Sequence, residues 1–263
     1  KEKNAFEERY GVTLLNNYGS TECLIGAITD PPHGERRWPS IGQVGPGYEV
    51  RVVDCQGTEL PEGEVGELLL HGVPGVSLMA GYWNNPEATA EAFTADGWFR
   101  TGDIGALDDD GYLRITGRKK ELIVTAGGKN VAPTQLEDRL RGHPLISQVL
   151  VIGDGEPFIS ALITLDKEML PQWLRNHGLA AMDVVEASSH PQVLAALDRA
   201  VARTNRAVSR AESIRTFRVL ATDFTEANGL LTPSLKVKRG PVMEAHADVI
   251  ADIYSSTRKG PRE

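Results

Sequence analysis

The segment NNYGSTEC, residues 16–23, places several chemically useful groups close together. The ring of Tyr18 offers a flat face for a base, and Gly19 lets a ligand approach the backbone closely. The hydroxyl of Thr21 can donate to a phosphate oxygen. The carboxylate of Glu22 is the kind of oxygen ligand that Mg²⁺ takes. The pattern suits a loop that grips a nucleotide and its metal, although a polar loop that ends a strand would also fit.

Two further segments carry polar residues at or beside turns. In GWFRTGDIG, residues 97–105, Asp103 follows a tight bend. One carboxylate can accept hydrogen bonds from two adjacent ribose hydroxyls. In GRKKELIVTAGGKNVAPTQLE, residues 117–137, Arg118 suits a sugar or phosphate oxygen. Each segment taken alone also has a structural explanation, as an aspartate that closes a turn or as a basic surface strand.

Glycines and a lysine complete the set of candidate residues. Gly127 and Gly128 permit a positive φ or the close approach of a ligand. In LLTPSLKVKR, residues 230–239, Lys236 lies just beyond a turn indicated by Thr232–Pro233–Ser234. A solvated lysine-rich edge is the alternative interpretation of this last segment.

The composition is that of an ordinary globular protein. The chain has 263 residues, 41% of them hydrophobic and 24% charged, and a formal net charge of −8. The acidic balance argues against a general nucleic-acid surface. No apolar run approaches the roughly 18–20 residues of a membrane-spanning helix. Cys23 and Cys55 give no metal-type spacing, and with no signal peptide apparent, a cytoplasmic location is the simplest expectation.

The apolar patterns predict two units that meet near residues 117–120. In the first unit, residues 12–19 are predicted as a short buried strand running into a loop. Residues 41–117 are predicted as a β-rich region that forms a small barrel or a folded sheet. Residues 85–93 are predicted as a short helix with Asn85 as its cap.

The second unit is predicted to mix helices and strands. These elements are expected at residues 132–144, 146–154, 159–165, 167–178, 190–208, 214–220 and 240–254. We expect Pro171 to interrupt the helix at 167–178. The helix at 190–208 is predicted to bury Leu194, Leu197, Val201 and Val208, and the last helix Val242, Ala245, Val249 and Ile253.

Together and in this order, the candidate segments resemble the adenylate-forming superfamily of acyl-CoA synthetases, peptide-synthetase adenylation domains and luciferases. The similarity covers about residues 11–254 and includes GYWNNPEATAEAF and GEVGELLLHG. The resemblance is strongest to the bacterial long-chain fatty acyl-CoA synthetases, through the segments GRKKELIVTAGGKNVAP and ANGLLTPSLKVKR. The fold implied is α+β. Residues 1–118 would be the end of a large AMP-binding domain with a distorted β-barrel subdomain, and residues 119–263 a small mobile domain.

The resemblance implies that a fatty acid is activated by ATP to an acyl-adenylate, with release of pyrophosphate, and is then transferred to coenzyme A. The nucleotide-binding residues implied are Tyr18, Gly19, Thr21, Asp103 and Arg118. Lys236 matches the family's catalytic lysine, and Thr21 and Glu22 also match catalytic positions, with Glu22 as the Mg²⁺ ligand. Lys120 matches the hinge of the mobile domain. Gly127 and Gly128 match the turn that reaches the coenzyme A channel.

This sequence departs from the family pattern in two ways. Leu235 precedes Lys236, where many relatives have a glycine. The family's Ser/Thr/Gly-rich phosphate loop does not occur in these residues, which begin at Lys1, and the fatty-acid tunnel is formed largely by sequence upstream. We therefore expect these residues to be the carboxy-terminal part of a longer enzyme and to be inactive alone.

Two alternative functions remain open. One is an adenylating ligase that delivers acyl groups to the phosphopantetheine of a carrier protein. No carrier-type serine motif follows Lys236 in this chain, but the carrier could be a separate protein. The other is a non-enzymatic nucleotide-binding module, whose expected mark would be loss of Glu22, Asp103, Arg118 or Lys236. All four residues are present.

The partners implied are small molecules. They are ATP with Mg²⁺, a fatty acid and coenzyme A, with no nucleic acid. Long-chain members of the family often associate loosely with membranes, so the resemblance also implies peripheral membrane association. The sequence makes no prediction of acyl chain length or oligomeric state.

Overall fold

The computed structural model describes residues 2–258. These residues form two compact units, one ending at Lys120 and the other beginning at Glu121. Each unit has a buried apolar core of its own. Within the described range, no helix combines the length and the apolar character needed to cross a membrane.

The first unit is mostly β-structure. Its helices are α1 (Glu2–Tyr10) and α2 (Pro86–Ala92), and its strands are β1 (Asn17–Ser20), β2 (Leu24–Thr29), β3 (Gln43–Val44), β4 (Glu49–Val53), β5 (Gly66–His71), β6 (Phe99–Leu107) and β7 (Leu113–Arg118). Strands β1–β3 form one antiparallel sheet, and β4–β7 form a second in sequential order. One core, which includes Cys23, Ile28, Leu68, Phe99 and Leu113, draws on both sheets.

The β-rich region is a folded sheet and not a closed barrel. A barrel of these four strands would need β7 to pair with β4, and the described strands show no such pairing. The outer edge of β7 instead bonds to the segment before β3. The N–H of Ile41 donates to the carbonyl of Leu113 at 2.9 Å. The N–H of Leu113 donates to the carbonyl of Gly42 at 2.8 Å. Because this segment occupies the edge, the second sheet stays open and is joined to the first.

The strand predicted at residues 12–19 is wrong in its first half. Strand β1 begins only at Asn17, and the side chains of Leu14 and Leu15 are exposed. The N–H of Leu14 donates to the carboxylate of Glu7 at 2.7 Å and not to a neighbouring strand. An apolar run indicates a strand only where a partner strand is available, and here the backbone bonds to a side chain.

The short helix α2 forms as predicted. The side chain of Asn85 accepts a hydrogen bond from the N–H of Ala88 at 3.1 Å, which satisfies one of the free donors of the first turn. Pro86 is in that turn, where its missing N–H is not needed.

The second unit contains a three-stranded sheet, a small hairpin and six helices among its described residues. The strands are β8 (Ile123–Val124), β9 (Asn130–Val131), β10 (Ile146–Ile152), β11 (Ile159–Leu165) and β12 (Ile214–Leu220). The helices are α3 (Pro133–Arg141), α4 (Leu170–Asn176), α5 (Val184–Ser189), α6 (Pro191–Asn205), α7 (Arg239–Ala245) and α8 (Ala247–Arg258). The larger sheet has the order β10–β11–β12, and β11 pairs antiparallel with β10 and parallel with β12.

Helices cover both faces of the larger sheet. Successive side chains of a strand point to opposite faces, so Val149 and Val151 pack with α3 and α6. Leu150 and Ile152 face the other way and pack with α7 and α8. All seven residues of β11 are buried, as expected for a central strand covered on both sides.

The proline in α4 begins the helix and does not interrupt it. Pro171 lies in the first turn of α4, where the helix has no need of its N–H. The predicted stripe of α6 is partly wrong. Leu197 and Val201 are buried, but Leu194 is only half-buried and Val208 lies beyond the helix end at Asn205. The buried face is completed by the small residues Ala196 and Ala200, together with Val193 and Thr204.

The last predicted helix is two helices that are separated at His246. The backbone of His246 leaves the helical region, with φ −120° and ψ 26°. This break changes the direction in which the following side chains point. Val242 and Ile253 are buried as predicted, Val249 is half-buried, and Ala245, which precedes the break, is exposed.

Gly42 should be intolerant of a side chain, because a Cβ there would lie 2.0 Å from the carbonyl oxygen of Thr29 and the backbone has φ +120°. We expect Gly42→Ala to lower the free energy of unfolding by roughly 3 kcal/mol or more, from overpacking and strain. Urea unfolding followed by tryptophan fluorescence would report this, since three of the four tryptophans (38, 83 and 98) lie in the first unit.

Gly47 is the matched control. It also has a positive φ, +83°, but a Cβ there would meet nothing within 4 Å. We expect Gly47→Ala to cost only about 1 kcal/mol of backbone strain. Equal losses in the two variants would contradict the proposed clash at Gly42.

Candidate functional site

Asp103 is a buried carboxylate shared between strands. Strand β6 places it opposite Arg118 of β7, and its Oδ1 lies 3.1 Å from Arg118 Nε. The hydroxyl of Tyr18 in β1 donates to Oδ2 at 2.5 Å. The N–H of Asp103 donates to the hydroxyl of Thr101 at 3.0 Å, which fixes the backbone at the bend. The structure thus brings three of the predicted nucleotide-binding residues together.

The hydroxyl of Tyr18 is held as a donor. Burial raises the pKa of Tyr18, and the hydrogen bond to Asp103 raises it further. Its ring packs partly against the core of the first unit. A β-bulge in the pairing of β1 with β2 falls between Tyr18 and Gly19, a device that often re-aims side chains beside functional sites. Gly19 and Thr21 are exposed.

Glu22 is an ionised carboxylate with two hydroxyl donors. The hydroxyl of Ser20 lies 2.7 Å from its Oε2 and that of Tyr82 lies 2.9 Å from its Oε1. The hydrogen bond from Ser20 is the largest cause that lowers the pKa of Glu22, and Tyr82 and the positive charge of Arg118 add to it. Burial and the bond to Glu22 raise the pKa of Tyr82, which keeps that hydroxyl a donor.

Ser20 and Tyr82 are functional candidates that were missed in the sequence. Tyr82 lies 60 residues from Glu22 along the chain, so no local pattern links them. The available signal was weak. Tyr82 belongs to GYWNNPEATAEAF, a stretch noted only for its resemblance to the family, and Ser20 lies inside the YGSTE segment itself.

The two carboxylates can accept further ligands. A carboxylate has about four acceptor positions, so Asp103 can receive two ribose hydroxyls while it keeps Tyr18 and Arg118. Glu22 is suited to supply one carboxylate ligand to Mg²⁺, which commonly binds one or two carboxylates plus substrate phosphates. No group of three or more His, Cys, Asp or Glu side chains within residues 2–258 is arranged to hold a metal ion.

Lys119 is tied to the sheet of the first unit. Its Nζ lies 2.8 Å from Oε2 of Glu67 in β5, and Arg100 lies 3.5 Å from the same oxygen. The Glu67 side chain is 6% exposed, so its charge needs these cations. The next residue, Lys120, is exposed, and its side chain makes no hydrogen bond or ion pair with any described residue.

The two predicted glycines form a tight turn in the second unit. The N–H of Gly128 donates to the carbonyl of Thr125 at 2.8 Å between β8 and β9. Gly128 has φ +76°, the conformation that glycine favours, whereas Gly127 does not have a positive φ. The turn stays exposed at both glycines.

Lys236 lies on an exposed turn that its own backbone closes. The N–H of Lys236 donates to the hydroxyl of Thr232 at 3.0 Å, and its carbonyl accepts from the N–H of Thr232 at 2.8 Å. Leu235 has φ +60°. Leucine adopts this left-handed backbone at a cost that glycine would not have.

The turn of Lys236 is anchored by the arginine three residues beyond it. Arg239 donates to the carboxylate of Glu137 in α3 at 2.7 Å and also to the carbonyl of Val151. The same oxygen of Glu137 accepts the N–H of Val151 at 2.8 Å. Arg239 therefore has a structural role, and Lys236 is the free cation at the tip of the turn among these residues.

Removal of the Tyr18 hydroxyl should destabilise the first unit. Tyr18→Phe keeps the ring and deletes one donor to a buried carboxylate, so we expect a loss of about 2 kcal/mol in the free energy of unfolding. Urea unfolding would measure it. Tyr10→Phe is the control, because the Tyr10 hydroxyl is exposed and makes no hydrogen bond in the described chain. A loss no larger than the control's would show that the Tyr18–Asp103 bond contributes nothing.

Tyr82→Phe should raise the pKa of Glu22, because one donor that stabilises the carboxylate is lost. A lowered pKa gives stability that is present above the unfolded pKa and lost as pH falls through the folded pKa. The variant should therefore lose this stability at a higher pH than the parent. Carbon-13 NMR titration would test this, with Glu22→Gln for assignment and Tyr10→Phe as the control. An unchanged pKa in Tyr82→Phe would contradict the described bond.

Family models of AMP-binding enzymes match both units. The model described as AMP-binding enzyme matches residues 2–83, and the model of the AMP-binding enzyme C-terminal domain matches residues 120–258. A long-chain-fatty-acid–CoA ligase from Mycobacterium bovis is 50% identical over 246 residues, which are 93% of this chain and 38% of that protein. A crotonobetaine/carnitine–CoA ligase from Salmonella typhi is 46% identical over 153 residues, which are 58% of this chain and 29% of that protein.

Solved structures with the same fold include an adenylation domain and an ATP-bound protein. The adenylation domain of a carboxylate reductase from Mycobacterium chelonae superposes with a TM-score of 0.73 at 25% identity, over 96% of this chain and 36% of that one. ATP-bound MatB from Rhodopseudomonas palustris superposes with a TM-score of 0.65 at 27% identity, over 94% and 43%. The chain spans less than half the length of these relatives. It belongs to the AMP-binding enzyme family and has that family's mixed α and β fold.

Proposed function

We propose that this chain is the carboxy-terminal part of an AMP-forming long-chain fatty acid–CoA ligase. The observation that carries the proposal is its 50% identity, over 93% of its length, to a protein of that name. The polar residues described above support it, because each group that the family's chemistry requires in these segments is present.

The proposed nucleotide contacts follow the geometry of the first unit. Asp103 and Arg118 would hold the ribose, and the side of Tyr18 away from the core would face adenine. Gly19 leaves the exposed bulge without a side chain, which suits close approach of the base. Thr21, exposed and without a hydrogen bond to described residues, is free to donate to the α-phosphate.

Charge neutralisation is the main demand of the first reaction, since a carboxylate must approach a polyphosphate. Glu22 would hold Mg²⁺, which supplies positive charge at the phosphates when it is bound. Lys236, with its ammonium group unpaired, would stabilise negative charge near the α-phosphate and the reacting carboxylate. An exposed lysine on a hydrogen-bonded turn can provide a second positive group at the reacting atoms.

The proposed reaction has two balanced steps. A carboxylate oxygen of the fatty acid bonds to the α-phosphorus, the bond to the β-phosphate oxygen breaks, and pyrophosphate leaves. The deprotonated sulfur of coenzyme A then bonds to the acyl carbon, and the bond to the AMP oxygen breaks with AMP as leaving group. The acyl chain length would be set by residues outside this chain, and the inactivity of these 263 residues alone stays a prediction.

We infer that residues 1–118 belong to the AMP-binding domain and residues 119–263 to the mobile domain. Lys120 is the proposed hinge, and Gly127 and Gly128 the turn that meets the coenzyme A channel. The contact of Lys119 with Glu67 supports a hinge at this place, since rotation beyond a tethered residue is confined to the untethered residues after it. Lys120 is the first of these.

Association with membranes stays a prediction. The apolar faces of α6 and α8 are largely used in packing against the sheet of the second unit, through Val193, Leu197, Ile253 and Tyr254. Peripheral association would therefore need other residues. A cytoplasmic location and the absence of nucleic-acid partners remain expectations from composition.

Lys236→Ala should abolish most of the first step in a full-length protein carrying these residues. We expect acyl-adenylate formation to fall by about 10²–10³-fold, the usual effect of removing one group that stabilises the transition state. Acyl-adenylate and acyl-CoA would be followed separately with Mg·ATP and a panel of fatty acids. Lys238→Ala is the control. It removes a neighbouring charge and should leave adenylation nearly unchanged.

The same assay tests the proposed acceptor. Formation of acyl-CoA from long-chain acids would support the ligase. Acyl-adenylate that accumulates and is not discharged by free coenzyme A would instead favour transfer to a carrier protein. Equal losses of adenylation in Lys236→Ala and Lys238→Ala would contradict the proposed role of Lys236. The ligase assignment would then be decided by whether acyl-CoA is formed.

A further inference from the structure

We propose that the second unit contains a phosphate-binding site between the carboxyl ends of α3 and α6. A cavity of about 300 Å³ opens there. It is lined by Arg139, Gly142, His143, Pro144, Ala200, Arg203 and Thr204. None of the residues assigned above to the nucleotide, the hinge, the glycine turn or the catalytic lysine lines it.

Every side-chain polar group that lines this cavity can donate a hydrogen bond. The guanidinium groups of Arg139 and Arg203 are exposed and make no hydrogen bond or ion pair with described residues. Thr204 is only 4% exposed, yet its hydroxyl also has no partner in the described chain. The Thr204 oxygen is not among the fully enclosed unpaired atoms of the described chain, so this hydroxyl is open to the cavity and can donate to a ligand or to water there.

His143 supplies the fourth donor. Its Nδ1 accepts the N–H of Leu145 at 3.3 Å, which places the proton of the neutral ring on Nε2. Burial lowers the pKa of His143, and the positive charges of Arg203 and Arg199 lower it further. The charged groups that act on this ring are thus cationic, and no carboxylate lines the cavity to neutralise them.

Stabilisation of helix ends explains only part of this arrangement. Arginines in the last turns of α3 and α6 are favourable near the negative ends of the helix dipoles. That effect does not account for the unpaired hydroxyl of Thr204 or the donor of His143 in the same cavity. A cavity of about 320 Å³ beside α1 in the first unit is different, because its lining includes the carboxylates of Glu7 and Asp30.

The negative ends of the α3 and α6 dipoles oppose an anion here, so the attraction must come from the donors themselves. This donor set selects an oxyanion, and phosphate is the oxyanion that it suits best. Two arginine forks can each form paired hydrogen bonds with phosphate oxygens, and such charge-assisted bonds are the strong ones. Thr204 and His143 add neutral donors from the walls. The phosphate could belong to a free small molecule or to a lipid headgroup, and the shared chemistry is a phosphate group with at least two free oxygens.

Calorimetric titration of the full chain with inorganic phosphate, at constant ionic strength in chloride, tests the site. We expect saturable binding to the parent and at least about tenfold weaker binding to the double variant Arg139→Gln and Arg203→Gln. Arg210→Gln is the matched control, since Arg210 is exposed and does not line the cavity. No saturable binding to the parent, or an equal loss in the control, would overturn the proposal.

A second variant keeps the test decisive if the double variant fails to fold. Thr204→Val preserves shape and charge and removes one donor, so a loss of several-fold supports a built site. Unchanged binding in a folded Thr204→Val protein, with the double variant unfolded, would overturn it.

Sedimentation with vesicles distinguishes the two sources of the phosphate. The vesicles would contain phosphatidylcholine with or without phosphatidic acid. Phosphatidic-acid-dependent sedimentation that free phosphate competes away would identify a lipid headgroup. Binding of free phosphate without sedimentation would identify a small molecule. Each outcome supports the site, provided that the arginine variants abolish the binding observed.

Discussion

A buried carboxylate governs the architecture around the nucleotide segments. Removing the charge of Asp103 from water would cost several kcal/mol if it were not compensated. Arg118 of the neighbouring strand β7 and Tyr18 of β1, in the other sheet, provide that compensation. The register of β6 with β7, and the position of β1, must therefore be correct together. In the proposed site the ribose would bind the same carboxylate oxygens that stabilise the sheet, so these strands cannot adjust independently.

Local sequence signals predicted the parts of the fold that depend on local physics. Asn85 and Pro86 predicted the start of α2, because the side-chain cap of Asn85 and the missing N–H of Pro86 both act within one turn. Strands β10 and β11 were predicted from their apolar runs, since a strand that is mostly buried shows little polar alternation. The strand prediction for residues 12–16 was wrong because it also used local signals alone. Their composition suits a strand, but pairing depends on a partner that the pattern does not reveal.

The candidate residues that lie within a recognisable motif were predictable from the sequence. Those that depend on contacts between residues far apart in the chain were not. Tyr18, Glu22, Asp103 and Arg118 were identified from segments with a family likeness, and the first unit holds Asp103 in contact with both Tyr18 and Arg118. Tyr82 meets Glu22 across 60 residues and Lys119 meets Glu67 across 52. No periodicity encodes such pairs. Tyr82, Glu22 and Lys119 all lie outside the strands, so these contacts depend on where the connecting segments lie once the sheets have assembled.

The backbone of Leu235 affects how Lys236 is presented. A left-handed conformation costs a leucine about 1 kcal/mol, whereas glycine adopts it freely. Glycine would also allow the turn many other conformations, and ordering them would consume entropy each time the lysine engages a substrate. Leucine meets its cost once, on folding, and narrows the ensemble beforehand. In the proposed role of Lys236, the leucine before it would thus trade backbone strain in the resting turn for a smaller entropic cost when the lysine reaches the reacting atoms.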